Sequence, residues 1–218
     1  TFMETQFCDP GYYCAPGSVV PTGINNEVCQ LGRYCNSQVY GPAMQLCPPG
    51  TYLDELQQSD IENCKPCTAG YWCEEGMIAP PEDDSYGQRF ICDAGFYCPT
   101  NINVDDTTNT RYDLKMGFPS VIGSTGPNEE PCPAGTYLPT TGGTDVSSCL
   151  TCEAGYYCDE GSRAMSTCPA GSYCPEGVAN NPRPCPAGTF SEDIGLKQET
   201  DCTICTLGSY CDTEGLTT

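Results

Sequence analysis

The spacing of the cysteines constrains this chain more than any other feature of its sequence. The 218 residues contain 20 cysteines. One spacing, C-x16-C-x2-C-x5-C, occurs three times without a gap, in the sets Cys47, Cys64, Cys67, Cys73, then Cys132, Cys149, Cys152, Cys158, and finally Cys185, Cys202, Cys205, Cys211. Three ungapped matches indicate an internal repeat, and they are a much stronger signal than a single CxxC pair.

The second half of this pattern, C-x-x-G-x-aromatic-C, also occurs alone, as Cys8–Cys14, Cys29–Cys35, Cys92–Cys98 and Cys168–Cys174. With the three C-P-x-G-T-[YF] openings, it gives ten C-x-x-G-x-aromatic motifs. The glycine permits the positive φ of a tight turn, and the aromatic residue that follows can lie over a disulfide. We therefore expect short β-hairpins after the turns, and one helical turn in the segment that begins at Tyr52.

Composition fixes the fold class. Ile, Leu, Val and Phe together make up about 15% of the chain, and the net charge is −21, so that without cross-links the chain would be disordered. The prediction is a small disulfide-rich fold: an elongated tandem array of cysteine-rich modules with short β-hairpins, little helix and no large core. The predicted modules are 1–46 (partial), 47–131 with a long insert at 99–131, 132–184, and 185–218.

Catalytic and metal chemistry find little support in the sequence. The absence of histidine removes the usual general base and the common nucleophile pairs, so we expect no enzyme, no catalytic residue and no cofactor. The three CxxC pairs belong to the repeat, which disfavours zinc or thiol exchange. Adjacent acidic residues could bind Ca²⁺ weakly, but they lack the alternating ligand spacing of a calcium-binding loop, so we favour a solvated acidic face. These residues are Glu74/Glu75, Glu82/Asp83/Asp84, Asp105/Asp106, Glu129/Glu130 and Asp159/Glu160.

The charge and the cysteine content of the chain predict its cellular location and its partners. Such a density of cysteines is typical of extracellular or cell-surface proteins. The eight Lys and Arg residues are scattered, which argues against nucleic acid, and no apolar run is long enough to span a membrane in this segment. Self-association or other extracellular proteins are the expected partners. The threonines of 139–144 are candidate O-glycan sites.

The insert at 99–131 is the one segment without the repeat pattern. A polar half is followed by an apolar patch of Met116, Phe118, Val121 and Ile122. The patch has two interpretations: part of a surface loop, or a contact with a partner or a second subunit.

The motif C-P-x-G-T-[YF]-x11-C-x2-C-x2-G-x-[YW]-C resembles the ephrin-receptor-like cysteine-rich repeat of large cell-surface and secreted proteins in animals, ciliates, other protists and algae. It is more distantly similar to the cysteine-rich modules of tumour necrosis factor receptors. The resemblance covers most of the chain outside the insert. It implies disulfide-stapled modules stacked end to end, often in a coat or filament in protists and algae, and it brings no catalytic residues. The second cysteine of C-x5-C departs from the plainer repeat.

Two disulfide pairings stay open. The receptor resemblance implies Cys47–Cys64 and Cys132–Cys149 bonds with interleaved bonds after them, namely Cys67–Cys92, Cys73–Cys98, Cys152–Cys168, Cys158–Cys174, Cys8–Cys29 and Cys14–Cys35. That pairing leaves Cys205 and Cys211 without partners in this chain. The alternative closes each C-x5-C on itself and uses all twenty cysteines. Ring entropy mildly favours interleaving, at about 3.5 against about 2.4 kcal/mol per bond, whereas the count of motifs favours local closure.

Two functions remain under consideration. The first is a structural extracellular protein, a modular rod in a filament, ciliary hair or surface coat, because repetition of one module produces length. The second is a receptor-type ectodomain or adhesion module that binds a protein ligand.

Overall fold

The chain folds as a series of disulfide-closed turns and short hairpins in a computed structural model, which describes residues 8–15, 18–22, 27–36, 44–82, 89–100, 102–103 and 121–218. The contacts group it into two compact units. Unit 1 comprises Thr1–Ile91 and Cys98–Glu129, and unit 2 comprises Cys92–Tyr97 and Glu130–Thr218. The division into four modules at the residue numbers given above stays a prediction.

All the sheets in the described residues are two-stranded antiparallel hairpins of two residues per strand. Except in the pair that begins at Ile102, the first strand follows the turn glycine and the second ends just before the first cysteine of the next motif. The pairs are Arg33–Tyr34 with Gln45–Leu46, Thr51–Tyr52 with Lys65–Pro66, Phe96–Tyr97 with Glu130–Pro131, Ile102–Asn103 with Val121–Ile122, Thr136–Tyr137 with Leu150–Thr151, Tyr156–Tyr157 with Ser166–Thr167, Ser172–Tyr173 with Arg183–Pro184, and Thr189–Phe190 with Thr203–Ile204. The predicted hairpins and the disulfide-rich fold class are confirmed.

Helix is limited to single 3₁₀ turns within the described residues, at Ile61–Asn63, Val146–Ser148 and Glu199–Asp201. The first lies in the segment after Tyr52, where one helical turn was predicted. Each turn stands in the loop between the two cysteines of a C-x16-C spacing. Asp60 and Asp145 cap the first two by accepting hydrogen bonds from the N–H groups of Glu62 and Ser147.

Apolar burial is divided among small clusters instead of one core. The clusters in the described residues each contain a disulfide and one or two other buried apolar side chains, for example Leu53 beside Cys47 and Cys64, or Leu196 beside Cys185 and Cys202. Most of the fully buried side chains are cysteines. The disulfides thus occupy the positions that aliphatic residues fill in an ordinary domain.

Candidate functional site

The structure closes the C-x5-C motifs on themselves. The short bonds are Cys8–Cys14, Cys29–Cys35, Cys67–Cys73, Cys152–Cys158, Cys168–Cys174 and Cys205–Cys211. The longer bonds are Cys47–Cys64, Cys132–Cys149 and Cys185–Cys202. Cys92 and Cys98 are also disulfide-bonded, so that no cysteine of the chain is free.

The interleaved pairing implied by the receptor resemblance is therefore wrong, and so is the expectation that Cys205 and Cys211 lack partners. The physical reason is the turn itself. Its glycine reverses the chain and brings the two cysteines of one motif to a Cα–Cα distance of 6.1 Å in Cys152–Cys158 and 6.3 Å in Cys205–Cys211, within the range that a disulfide bridges. This local geometry outweighs a difference of about 1 kcal/mol in ring entropy.

Successive motifs are joined by a recurring pair of backbone hydrogen bonds, which we call the repeat contact. We number the repeats 1 to 10 by their first cysteines: Cys8, Cys29, Cys47, Cys67, Cys92, Cys132, Cys152, Cys168, Cys185 and Cys205. Between repeats 6 and 7, the N–H of Gly135 donates to the Cys158 carbonyl and the N–H of Cys152 donates to the Gly135 carbonyl, both at 2.9 Å. The first of these bonds recurs at Gly11, Gly32, Gly50, Gly70, Gly95, Gly155, Gly171 and Gly188.

A second set of glycines, which the sequence reasoning missed, adds a further bond. Gly177 stands nine residues after the first cysteine of repeat 8, and its N–H donates to the carbonyl of Cys152, the first cysteine of repeat 7, at 2.8 Å. Equivalent donors are Gly76, Gly142, Gly161, Gly195 and Gly215. The sequence signal was present, since Gly76, Gly161 and Gly177 each end a C-x-E-G stretch.

The turn glycines also approach the repeat after next. A Cβ atom on Gly135 would overlap the Gly177 carbonyl oxygen, and one on Gly155 would press on the Gly195 carbonyl. Both turn glycines have a positive φ, +89° and +94°. Repeats 6 and 7 therefore fit the repeat after next through close backbone contacts that tolerate no side chain at the turn glycine.

Aromatic residues also link successive repeats. Tyr157 of repeat 7 packs against the Cys168–Cys174 disulfide of repeat 8, and Tyr173 of repeat 8 packs against Cys185–Cys202 of repeat 9. Tyr34 and Tyr52 make the corresponding contacts in unit 1, and burial raises the pKa of both phenols. The predicted packing of aromatic residues on disulfides is present, and in these four cases the disulfide belongs to the next repeat.

One exposed apolar surface, which we call the end face, is formed by Ile204 of repeat 9 and by Leu207, Gly208 and Tyr210 of repeat 10. Their apolar side chains are largely in solvent, with exposed fractions of 77%, 105% and 84% for Ile204, Leu207 and Tyr210. A Cβ atom on Gly208 would meet nothing within 4 Å. Gly208 and Tyr210 are thus the turn glycine and the aromatic residue of their motif, but they lack the packing that Gly135 and Tyr157 have.

The insert residues Gly123 and Ser124 pack in unit 1 and are not part of a free surface loop. The N–H of Gly123 donates to the Gly50 carbonyl, and the N–H of Cys73 donates to the carbonyl of the fully buried Ser124. Val121 and Ile122 form one strand of a hairpin. Met116 and Phe118 lie outside the described residues, so a partner contact of the patch stays a prediction.

Several acidic side chains in the described residues have structural roles. Glu129 is buried and accepts hydrogen bonds from the N–H and hydroxyl of Thr125. Glu74 pairs with Arg89, while Asp54 and Glu55 bind the Lys65 ammonium group and raise the pKa of that lysine. Asp83, Asp84, Asp105 and Asp106 lie outside the described residues. Within the described ranges, no group of three or more acidic or cysteine side chains could hold a metal ion.

Two further predictions concern the surface. Thr140, Thr141 and Thr144 are exposed, as O-glycan attachment would require, and their modification stays a prediction. None of the helices in the described residues has the length and apolar character needed to cross a membrane.

The architecture is that of a disulfide-stapled repeat protein with the pattern of an extracellular structural or ectodomain-like module. The sequence matches no protein-family model, and no curated protein matches it either.

Proposed function

We propose that this chain is a structural protein of the cell exterior, built from ephrin-receptor-like cysteine-rich repeats, that assembles into a filament, ciliary hair or surface coat. The observation that carries the proposal is the repeat contact. It uses only backbone N–H and C=O groups around the turn glycine, so it recurs between repeats whose side chains differ. A contact of this kind can continue from one subunit to the next.

The end face supplies a surface for such a continuation. It presents Leu207 and Tyr210 to solvent and keeps Gly208 open to a neighbouring backbone. Burial of exposed apolar side chains of this size would stabilise a contact between subunits, with about 25 cal/mol contributed per Å² of apolar surface removed from water. The absence of histidine and the use of all cysteines in disulfides support a role without catalysis.

Self-association of the oxidised chain tests this proposal. Sedimentation velocity and negative-stain electron microscopy over a wide range of concentration should show oligomers that lengthen with concentration. Leu207→Glu should abolish them, because it places a charge on the end face without disturbing a buried residue. Val146→Glu is the matched control, since Val146 is also exposed, at 54%, but lies on a 3₁₀ turn away from the end face. A chain that stays monomeric throughout would overturn the proposal.

A receptor-type or adhesion module is the second candidate. A pocket in unit 1 beside Glu27 favours it, because assembly through repeat contacts does not require that pocket.

A further inference from the structure

The disulfide of repeat 10, Cys205–Cys211, lies in a ring that is open to solvent. The ring encloses residues 206–210, and all of them are exposed. Cys205 and Cys211 are themselves partly exposed, whereas Cys168 and Cys174, which close a ring of the same size in repeat 8, are fully buried. Thiol–disulfide exchange begins when a thiolate reaches a disulfide sulfur, so this access favours reaction at Cys205–Cys211.

Packing holds the turn of repeat 10 less firmly than the turn of repeat 8. Gly171 is buried, and a Cβ atom on it would overlap the Gly215 carbonyl oxygen, whereas a Cβ atom on the exposed Gly208 would meet nothing within 4 Å. When a disulfide opens, a turn that is fixed by packing keeps its two thiols close together and favours reclosure. The turn at Gly208 lacks that packing, so its two thiols separate more readily.

The disulfide of repeat 1, Cys8–Cys14, provides a comparison within the same chain. Its cysteines are also partly exposed, and its ring has the same size. Its turn glycine, Gly11, is buried, and a Cβ atom there would overlap the Gln57 carbonyl oxygen. Packing therefore keeps this turn in place after reduction, and access alone does not make Cys8–Cys14 equivalent to Cys205–Cys211.

The state of the Cys205–Cys211 disulfide also affects the end face, because Leu207, Gly208 and Tyr210 all lie inside the ring. The disulfide limits the conformations of these residues and keeps the end face in one arrangement. Without it, any contact made by the end face must also offset the conformational entropy that the opened loop loses. Reduction therefore weakens association through this surface.

We propose that Cys205–Cys211 is a thiol-exchange site at which a dithiol reductant controls self-association through the end face. A thiolate of the dithiol attacks one sulfur of the disulfide, forms a mixed disulfide and expels the other cysteine as a thiolate. The second thiol of the reductant then displaces the remaining cysteine. Two electrons and two protons pass from the dithiol to the chain, so Cys205 and Cys211 become thiols and the reductant becomes a disulfide. The control of assembly rests on the proposed function, whereas the order of reduction does not.

Limited reduction of the unmodified oxidised chain with dithiothreitol tests the order of reduction. Free thiols are alkylated at intervals, and the remaining cysteines are then reduced and labelled with an isotopically heavier reagent. Tryptic peptide 198–218 contains the two cysteines of repeat 10, and peptide 164–197 contains those of repeat 8. We expect the cysteines of repeat 10 to be alkylated about tenfold faster than those of repeat 8, and also before those of repeat 1.

Paired serine variants test the control of self-association. The double variant Cys205→Ser/Cys211→Ser removes the ring that contains the end face, and it should lose the oligomers that the oxidised chain forms in sedimentation velocity. Its matched control, Cys8→Ser/Cys14→Ser, removes a ring of equal size in repeat 1 and should keep them. Limited reduction of oligomers of the unmodified chain should disperse them, and it gives the same readout if the first variant folds poorly.

Two results would overturn the proposal. The first is alkylation of Cys168 and Cys174 as fast as that of Cys205 and Cys211. The second is oligomers that persist unchanged both in the Cys205→Ser/Cys211→Ser variant and after limited reduction of the unmodified chain. An oxidised chain that stays monomeric would instead refute the proposed function, and the order of alkylation would still decide whether Cys205–Cys211 is the exchange site.

Discussion

Glycine 135 shows at the scale of one residue why the repeat motif keeps a glycine three positions after its first cysteine. Its positive φ alone would tolerate a few other residues at a cost of about 1–2 kcal/mol. Its close approach to Gly177 tolerates none, because a Cβ atom would overlap a backbone oxygen that cannot rotate away.

Gly135→Ala and Gly188→Ala form a matched pair that separates the two effects. Their φ angles are nearly equal, +89° and +92°, but a Cβ on Gly188 meets nothing within 4 Å. We expect Gly188→Ala to lower the free energy of unfolding by about 1–2 kcal/mol, and Gly135→Ala to lower it by about 1–3 kcal/mol more. Denaturant titration of the oxidised variants measures both values, and equal losses would show that the close approach is unimportant.

Much of this residue-level structure could be predicted from the sequence. The first glycine was predicted as a turn because it follows each cysteine at a fixed distance, and its positive φ is observed at Gly135 and Gly155. The glycines of the second set, such as Gly177, were missed because their contacts link one repeat to another. The recurring C-x-E-G stretches marked three of these glycines, but spacing within a motif does not show which carbonyl of another repeat they contact. The pocket beside Glu27 was missed for the same reason, since residues of four different repeats line it.

The 3₁₀ turns show how a short element is held in place without a core. At Val146–Ser148, Asp145 accepts hydrogen bonds from Ser147, and these bonds hold the pKa of the carboxyl below its ordinary value. Asp201 plays a related role at Glu199–Asp201, where the backbone N–H of Lys197 lowers its pKa. The caps therefore depend on the charged form of the carboxylate.

We predict that acid loosens the turn at Val146–Ser148. Because the pKa of Asp145 is lower in the folded chain than in the unfolded chain, its contribution to stability is present above the unfolded pKa of about 3.9 and is lost as pH falls through the folded value. Hydrogen exchange of the Ser147 amide, corrected for its intrinsic pH dependence, should lose protection below about pH 4. In Asp145→Asn this change should be absent. Unchanged protection of the Ser147 amide from pH 7 down to about pH 2 in the unmodified chain would contradict the prediction.

At the scale of an element, each hairpin of this kind is followed directly by a disulfide-bonded cysteine. A hairpin such as Thr136–Tyr137 with Leu150–Thr151 leads directly into Cys152, so the chain enters repeat 7 already hydrogen-bonded to repeat 6. The sequence predicted the hairpins, but it left the choice between local and interleaved pairing open. Ring size is a property of sequence separation alone, whereas the choice depends on where the turn places Cys158 relative to Cys152.

The whole molecule is held by many small clusters and cannot rely on apolar burial. Tyr157 with Cys168, Cys174 and Val178 is one such cluster, and it loses its central surface when the disulfide opens. The entropic cost of ordering the chain, about 1–2 kcal/mol per residue, is then no longer offset by favourable contacts. The fold class could be predicted from composition because this balance depends only on the numbers of cysteines and aliphatic residues.

Complete reduction should therefore unfold the chain. We expect the near-ultraviolet circular dichroism of its tyrosines to collapse when a phosphine reductant is added, and about twenty thiols to become titratable. The same measurement before reduction, with denaturant alone, should give no free thiols. A near-ultraviolet signal that survives full reduction would show that the aliphatic clusters are sufficient by themselves.

The insert marks the limit of prediction for the whole molecule. The partner contact of its apolar patch stays a prediction, and the neighbouring Gly123 and Ser124 take up backbone positions in unit 1 next to Gly50 and Cys73 that the sequence did not predict. The sequence could not predict this packing, because the insert lacks the cysteines whose spacing defines the repeats elsewhere.

The central claim is that the repeats are closed individually and meet only through noncovalent contacts. Tryptic digestion under non-reducing conditions, followed by mass spectrometry, tests it most directly. Cleavage after Lys115 and Arg163 releases residues 116–163, which contain Cys132, Cys149, Cys152 and Cys158. We predict that this peptide appears alone with its two internal disulfides, because all four cysteines pair among themselves. Recovery of the peptide crosslinked to residues 164–197, through Cys168 or Cys174, would establish interleaving and contradict the account.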